Sequence, residues 1–475
     1  YSEELYIFSN PVIRGNSDLL LVSWQASGYL QYTYSTDEGE TWSDIQIFDP
    51  WGDIYYYVYY YDFEIGNDAS DNTIVHATWT AYRDDGDTSD YRVYHSYSED
   101  LGETWSSEIE VSDSGVATTN FYPKMVFYED DVHISWVGVT SSNSIALYSK
   151  SDDGGDSFNA PTQLSGTSDA GIVDISCDDN NVVIVVWSEG DGDEKKISAR
   201  TSSNSGSTFN TEITLSSADD AELYDELEIT TDMDGNFYVI WPREDTSEDD
   251  DIVVSRSPNS GTSWNSAVEV DGIDGEGVRG SSSISATSDK LVVVWTDDYD
   301  GDGTSSDLDI YSSESSNDGS SWTTAKEIGS DQYYEADSSA VALAYSNSYL
   351  YALYIDGGDN DPDGDTNGND ASNTDGDVFF RRSSNDGEDW DNVVVISNED
   401  TDGHSYETFD YASYFYSYYR AAISASGNDV YAAWCNYDRE SGQYQIKFSS
   451  SSNSGTSWSD PIILSSDDTN ANSYA

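Results

Sequence analysis

The stretch Ser35-Thr36-Asp37-Glu38-Gly39-Glu40-Thr41-Trp42 decides the reading of this chain, because its pattern returns in seven further copies. Written as Ser, any, Asp or Asn, any, Gly, any, any, Trp or Phe, it runs from Ser98 to Trp105, Ser151 to Phe158 and Ser202 to Phe209. It then runs from Ser257 to Trp264, Ser315 to Trp322, Ser383 to Trp390 and Ser451 to Trp458. The third position is Asp37, Asp100, Asp153, Asn204, Asn259, Asn317, Asn385 and Asn453 in turn. Copies lie roughly 50 to 70 residues apart, the length of one four-stranded sheet in a radial array. A tight turn explains the pattern. Asp or Asn accepts hydrogen bonds from turn amides, Gly takes a backbone conformation closed to other residues, and the aromatic is expected to pack back into its own sheet.

Working outward, an apolar strand precedes each copy by about two dozen residues. It usually ends in Trp (Trp24, Trp79, Trp136, Trp187, Trp241, Trp295 and Trp434), with Tyr354 in the seventh repeat. A shorter strand comes before it, as in Ser282 to Ala286 or Ala421 to Ala425, and another follows the octapeptide, as in Pro461 to Leu464. Each repeat therefore supplies four strands, with the octapeptide between the third and fourth. One such sheet cannot bury both faces, but eight stacked radially can. The expected fold is all-β, a single eight-bladed β-propeller over 1–475. Its antiparallel blades are expected at about 9–50, 51–113, 114–166, 167–217, 218–271, 272–330, 331–398 and 399–466. The segment Glu3 to Phe8 is expected to add to the last blade and help close the ring.

Composition agrees. Hydrophobic residues make up 36% and aromatics 14% of 475 residues, with only 2 Met, so the core leans on Tyr, Trp, Val and Ile. These are strand formers, and no long stretch shows apolar residues at helical spacing. Eighteen Lys and Arg stand against 92 Asp and Glu, a formal net charge of -74. That excludes nucleic acid as a partner and disfavours an anionic membrane surface. It also implies self-repulsion that high salt or divalent cations would relieve. The spacing of Cys177 and Cys435 leaves both a disulfide and two free thiols open. There is no apolar run long enough to span a bilayer, no signal peptide and no Asn-x-Ser/Thr sequon. Starting at Tyr1, the chain reads as a mature or trimmed ectodomain, and an extracellular or cell-surface setting is expected.

The octapeptide resembles the Asp box, or BNR repeat, of the sialidase superfamily, over essentially the whole chain. In that family the boxes lie at the periphery, away from the active site, so the resemblance implies architecture rather than chemistry. Known sialidases usually have six blades, and eight boxes here point to eight. A catalytic member needs three arginines gripping a carboxylate, a Tyr and Glu pair, and an acid Asp. The family's first arginine sits in an Arg-Ile-Pro motif, and the nearest match here is Ile13-Arg14-Gly15, without the Pro. Arg279 and Arg420 lie near the starts of innermost strands, but on alignment to the Trp strands the three arginines fall at different depths. Converging guanidiniums bind a carboxylate well, whereas scattered ones make local salt bridges.

Two loops between second and third strands carry a calcium-like pattern. One has Asp359, Asp361, Asp363 and Asp365 around Gly364, with Asp370 at the twelfth position. The other has Asp298, Asp300 and Asp302 before Gly303, with Asp309 at the twelfth. Both resemble the EF-hand loop: alternating carboxylates converge on a hard cation, Gly permits the turn, and a last carboxylate closes the shell. Asp replaces the usual Glu at that last position. Calcium is the expected cofactor, and solvated charge is the plainer alternative. Shorter acidic loops at Asp84, Asp85 and Asp87, at Asp191 and Asp193, and at Asp249 to Asp251 read as surface charge that makes one rim strongly negative.

Two inter-blade linkers on that same face are rich in aromatics: Trp51, Tyr55, Tyr57, Tyr59, Tyr60 and Tyr61, and Tyr414, Tyr416 and Tyr418. They either fill space between blades or form a contact surface, since Tyr suits protein interfaces and sugar stacking alike. The function expected is a non-catalytic, extracellular, calcium-binding propeller acting in surface binding, adhesion or assembly into a filament or surface layer. Its partners would be surface proteins, other copies of itself or glycans. The alternative is an exo-glycosidase of the sialidase type.

Overall fold

Runs such as Leu20-Leu21-Val22-Ser23-Trp24 and Val183-Ile184-Val185-Val186-Trp187 are apolar on both sides of a strand, which suits a sheet held between two neighbours. The computed structural model describes residues 11–15, 18–26, 29–48, 58–84, 89–113, 115–166, 169–190, 195–216, 222–223, 227–244, 250–270, 282–297, 309–329, 341–357, 376–397, 403–404, 421–438 and 443–465. In it these runs are the second strands of four-stranded antiparallel units. Unit 1 is Val12–Gly15, Leu20–Ala26, Tyr29–Ser35 and Gln46–Ile47, hydrogen-bonded in that order. The same order recurs in every later unit among the described residues. Units 2 and 3 are joined by one parallel pairing of Tyr91 with Thr119. Units 5 and 8 carry an extra short strand, Glu222–Leu223 and Gly403–His404, on the second strand.

The first strands of units 1 to 8 are Val12–Gly15, Val58–Asn67, Thr119–Tyr128, Ala170–Cys177, Glu228–Thr231, Ser282–Ala286, Val341–Ser346 and Ala422–Ser426. Each touches the first strand of the next unit, and that of unit 8 touches that of unit 1. The chain is therefore all-β with a propeller-like arrangement, and its first strands surround a central opening. Antiparallel pairing sets the octapeptides and the first-to-second turns at one end, called lower here. The second strands end, and the third strands begin, at the upper end.

The core sits between units. Leu21, Leu30 and Tyr32 of unit 1 pack with Phe63, Val75 and Trp79 of unit 2. Ile13, Val22 and Trp24 pack in the same way with Tyr431, Ala433 and Phe448 of unit 8. The seven Trp of the second strands are at most 1% exposed, and Tyr354 is fully buried. No disulfide joins Cys177 and Cys435, which removes that alternative. Among the described residues no helix is long and apolar enough to cross a membrane.

In the first octapeptide, Ser35 Oγ donates to Asp37 Oδ1 at 2.8 Å and accepts from the Gly39 amide at 2.9 Å. Asp37 accepts from the Thr41 amide at 2.8 Å and from its hydroxyl at 2.5 Å. With Asn at the third position the hydroxyl contact reverses: Asn453 Nδ2 donates to Ser457 Oγ at 2.8 Å. The aromatic corrects the expectation of packing into its own sheet, because it lies on the preceding unit. Trp42 meets Phe448 of unit 8 with ring centroids 4.8 Å apart, and Phe209 meets Tyr148 at 4.7 Å. Trp105 Nε1 donates to the Tyr32 hydroxyl at 2.8 Å. The left-handed Gly is the cause, since it lays the turn against the preceding third strand, Gly39 over Phe448 and Gly455 over Phe380.

The seventh copy differs in chemistry: Asn385 Nδ2 donates to the carboxylate of Asp389 at 3.1 Å. Asn385→Asp would set two carboxylates in that contact, so it is expected to lose about 1 kcal/mol at pH 7 and regain it as pH falls below about 4. Asn453→Asp restores the arrangement of Asp37 with Thr41 and is expected to stay within about 0.5 kcal/mol. Denaturation midpoints of both variants against the parent chain at the two pH values check this. Equal losses would show that the contact is indifferent to charge.

Candidate functional site at the upper mouth of the central opening

Opposite the residue two before each second-strand Trp, or Tyr354, stands an apolar first-strand side chain. The series is Ile13, Phe63, Met125, Ile175, Ile229, Ile284, Leu343 and Ile423. Strand alternation turns the residues on either side of this row the other way. There charge is confined to units 1 to 5, as Arg14, Asp62, Glu64, Lys124, Asp174 and Glu228, whereas units 6 to 8 place Ser283, Ala342 and Ala422.

These charged side chains tie neighbouring first strands together. Arg14 Nε donates to Phe63 O at 2.9 Å, and the guanidinium pairs with Asp62 at 3.2 Å and Glu64 at 3.4 Å. Asp62 Oδ2 accepts from the Met125 amide at 3.2 Å, Asp174 Oδ2 from Ile229 at 3.0 Å and Glu228 Oε2 from Ile284 at 3.3 Å. Burial pushes the Glu64 carboxyl up to about 7; Arg14 and Lys124 pull it down and Asp62 adds to the rise. Burial also raises Asp174, opposed by Lys124 and by the Ile229 and Ile175 amides. Burial works against the Arg14 charge, but Glu64 and Asp62 more than offset it. Lys124 is exposed.

Above this cluster, the first strands of units 2 to 4 each carry a β-bulge. Tyr59 and Tyr60 face Thr80, Tyr122 and Pro123 face Trp136, and Gly171 and Ile172 face Ser188. A bulge re-aims the side chain it carries. Tyr122 is 36% exposed and adopts φ 54°, a conformation uncommon for a bulky residue and found at functional positions. Its ring meets Tyr60 with centroids 4.3 Å apart, and the two hydroxyls are 3.4 Å apart. Phe121 lies 6.0 Å from Tyr60 and 5.4 Å from Tyr91, and Tyr91 lies 5.4 Å from Tyr82. The result is an aromatic ledge of touching rings from units 2 and 3, with Tyr60 two residues along its strand from Asp62 and Tyr122 two from Lys124.

A second polar cluster is buried at the lower end. His76 Nδ1 and His95 Nε2 are 3.0 Å apart. His133 bonds the Tyr148 hydroxyl at 2.6 Å and Asn181 at 2.9 Å, and Asn181 donates to Asp131 at 2.6 Å. Burial lowers all three imidazoles, His76 to about 3 and His133 to about 4.

Of the residues singled out from sequence, the structure brings Arg14 to the mouth, already paired with carboxylates. Tyr61 is half-buried, its ring 6.0 Å from Phe63 and its hydroxyl 3.5 Å from Ser23 O, so it fills space between units 1 and 2. The backbone of Asp309 pairs with Asp297. Tyr59 lies in a strand whose side chain there is outside the described residues. Also outside them are Glu3 to Phe8, Arg279, Arg420, Asp298, Asp300, Asp302, Asp359, Asp361, Asp363, Asp365, Asp370, Trp51, Tyr55, Tyr57, Tyr414, Tyr416 and Tyr418. Among the described residues no group of three or more His, Cys, Asp or Glu could hold a metal ion. Sequence reading missed Asp62, Glu64, Lys124, Asp174, Glu228 and Tyr122, and named Tyr60 as part of the first aromatic linker. Counting back from each Trp to the paired first strand would have found the five charged ones.

No family model and no curated protein matches the chain. Solved structures do. An ulvan lyase of polysaccharide lyase family PL25 is 13% identical, with a TM-score of 0.50, over 74% of this chain and 90% of that one. A protein of unknown function from Dyadobacter fermentans is 11% identical, with a TM-score of 0.40, over 64% of this chain and 91% of that one. A Hadza microbial sialidase is 12% identical, with a TM-score of 0.38, over 76% and 74%. The likeness to the ulvan lyase is one of fold, and it agrees with the propeller-like arrangement.

Proposed function

We propose that this chain is an eight-bladed propeller of Asp-box repeats that recognises glycans at the upper mouth of its central opening. One ring over 1–475 would carry the blades at the sequence boundaries given above. The cyclic contact of first strands and the octapeptide turns between third and fourth strands support that architecture. The observation that carries the function is the run of touching rings Tyr60, Tyr122, Phe121 and Tyr91, in which Tyr60 shares its first strand with Asp62 and Glu64 and Tyr122 shares its own with Lys124. Sugar rings stack on aromatic faces, and carboxylates and cations orient hydroxyls. Solved neighbours named as sialidases and ulvan lyases point the same way. Tyr122→Ala is expected to weaken binding of a glycan found on an array at least about tenfold, the loss of one stacked ring. Unchanged affinity would remove the mouth as the site.

The setting proposed is extracellular, on or near a cell surface, with calcium in the acidic loops of repeats six and seven. The net charge of -74 and the two D-x-D-x-D-G loops support it. Calcium is expected to raise the melting temperature well beyond matched monovalent salt, because an ion bound only by the native state stabilises it by mass action. Equal effects of the two salts would reduce the loops to solvated charge.

A second reading, hydrolysis of a glycoside, rests on Glu64 beside Asp62. A carboxyl raised to about 7 next to a second, amide-bonded carboxyl is the pairing that acid-base glycoside chemistry uses. Turnover of chromogenic glycosides that vanishes in Glu64→Gln would favour it over binding alone.

A further inference from the structure

We infer that the Lys150 amine and the Asn181 carboxamide become joined as an isopeptide bond that clamps unit 3 to unit 4. Lys150 stands just before the third octapeptide and pairs across the strands with His133. The two side chains therefore share a face of the sheet, and Asp131, two residues from His133, lies on it too. Asn181 comes from the neighbouring unit. It sits in the turn Asp178 to Val182 with φ 54°, its backbone amide donating to Asp178 O at 2.8 Å. Its side chain reaches unit 3, where Nδ2 donates to Asp131 Oδ2 at 2.6 Å and Oδ1 is 2.9 Å from His133 Nε2. Lys150 Nζ lies 3.5 Å from the same Asp131 Oδ2, 2.5 Å from Asp152 Oδ1 and 2.6 Å from Ser205 O. Lys150, Asn181 and His133 are 4%, 6% and 0% exposed, so amine and carboxamide meet out of water.

The hydrogen bonds fix where the protons are. Because Asn181 Nδ2 donates to a carboxylate, Oδ1 is the atom that faces His133, and His133 Nε2 carries a proton. Burial lowers the imidazole to about 4 and keeps it neutral, so Nδ1 is bare and accepts from the Tyr148 hydroxyl at 2.6 Å. Burial also raises that hydroxyl and holds its proton in place. An N–H donor therefore stands at the carbonyl oxygen, where negative charge develops during attack on an amide. Asp131 Oδ2 touches both the nucleophile and the leaving nitrogen, the position of a carboxylate that carries a proton between them.

The step balances without an oxidant or reductant. Lys150 Nζ passes one proton through the exposed Asp152 to water, and rotation about the last bonds of its side chain brings it to Asn181 Cγ. The Nζ lone pair forms the new N–C bond while the carbonyl pair moves onto Oδ1, held by His133. Asp131 takes a second proton from Nζ and gives it to Nδ2. The Cγ–Nδ2 bond breaks, its pair leaves with ammonia, and the carbonyl re-forms. A neutral amide then replaces a buried ammonium, which removes the cost of keeping that charge out of water.

The test is the mass of the full chain under denaturing conditions, followed by digestion with trypsin. The chain is expected about 17 Da below its sequence mass, the ammonia lost. Trypsin does not cut after an acylated lysine, so one peptide of residues 125–195, short by the same mass, should replace 125–150 and 151–195. Fragmentation should place the bridge between Lys150 and Asn181. Lys150→Arg keeps a cation beside Asp131 but cannot form this amide, and is expected at full mass. Asp131→Asn, which removes the proton carrier, is expected at full mass as well. An asparagine that closes on its own backbone also loses ammonia, but that loss would persist in Lys150→Arg and leave the cut after Lys150 intact. That pattern overturns the inference, and so does an unaltered chain of full mass that trypsin cuts after Lys150. The digest of the unaltered chain decides by itself, so the answer stands even where a variant fails to fold.

Discussion

Gly155→Ala is expected to lose at least about 3 kcal/mol of stability, while Gly154→Ala, one residue earlier in the same turn, loses only about 1 kcal/mol. Both glycines have left-handed backbones, φ 72° at Gly154 and 97° at Gly155. An added methyl at Gly154 has nothing within 4 Å, so only the backbone preference is lost. At Gly155 the methyl would overlap His95 Cε1 and come within 3.1 Å of its Nδ1. The imidazole cannot step aside. It is bonded to His76 at 3.0 Å and meets Phe158 with ring centroids 5.0 Å apart, both imidazoles buried and Phe158 partly buried. The turn would have to lift from unit 2, carrying Phe158 out of the inter-unit core. Urea denaturation followed by Trp fluorescence measures both variants. Equal losses would mean that the octapeptide turns do not join the units.

Acidification from pH 7 to 5 is expected to destabilise the chain through its buried histidines. His76, His95 and His133 have native pKa values depressed by burial, to about 3 for His76 and about 4 for His133. The unfolded chain takes up protons near 6.5 while the native one stays neutral, so stability is complete above about 6.5 and falls as pH drops below it. At pH 5 each histidine accounts for about 2 kcal/mol. Glu64 has the opposite sign: its native pKa is raised to about 7, so its contribution is largest in acid and is lost as pH rises through 7. Its side chain is 29% exposed, which weakens that compensation. The net expectation is a loss of several kcal/mol, deepened in Glu64→Gln and reduced by about 2 kcal/mol in His133→Asn. Relief of the -74 charge opposes the trend mainly below about pH 5, where most carboxylates titrate. A denaturation midpoint that is flat or rising from pH 7 to 5 would show that the imidazoles charge in place.

The repeat architecture was legible because its signals are local. Ser, Asp or Asn, Gly and an aromatic at set spacing make a turn whose hydrogen bonds close within eight residues, as Ser35 to Trp42 shows. The apolar run to each Trp is local too, and all eight appear as buried second strands. The aromatic's partner was not legible, because Trp42 packs on Phe448, over 400 residues away. The mouth was legible only in part. Arg14 was singled out as a family match, but its pairing with Asp62 and Glu64 depends on adjacency of units 1 and 2.

The sequence by itself determined an all-β chain of repeated four-stranded units with their turns at one end and a strongly acidic surface. Strand period, turn chemistry and charge need no partner from elsewhere in the chain. Only the tertiary structure decided which first-strand residues share the opening, since strand register and bulges set the direction of every side chain. One extra residue opposite Thr80 and one opposite Trp136 bring Tyr60 and Tyr122 together at the mouth. A bulge arises from pairing between strands, and nothing in either strand alone announces it.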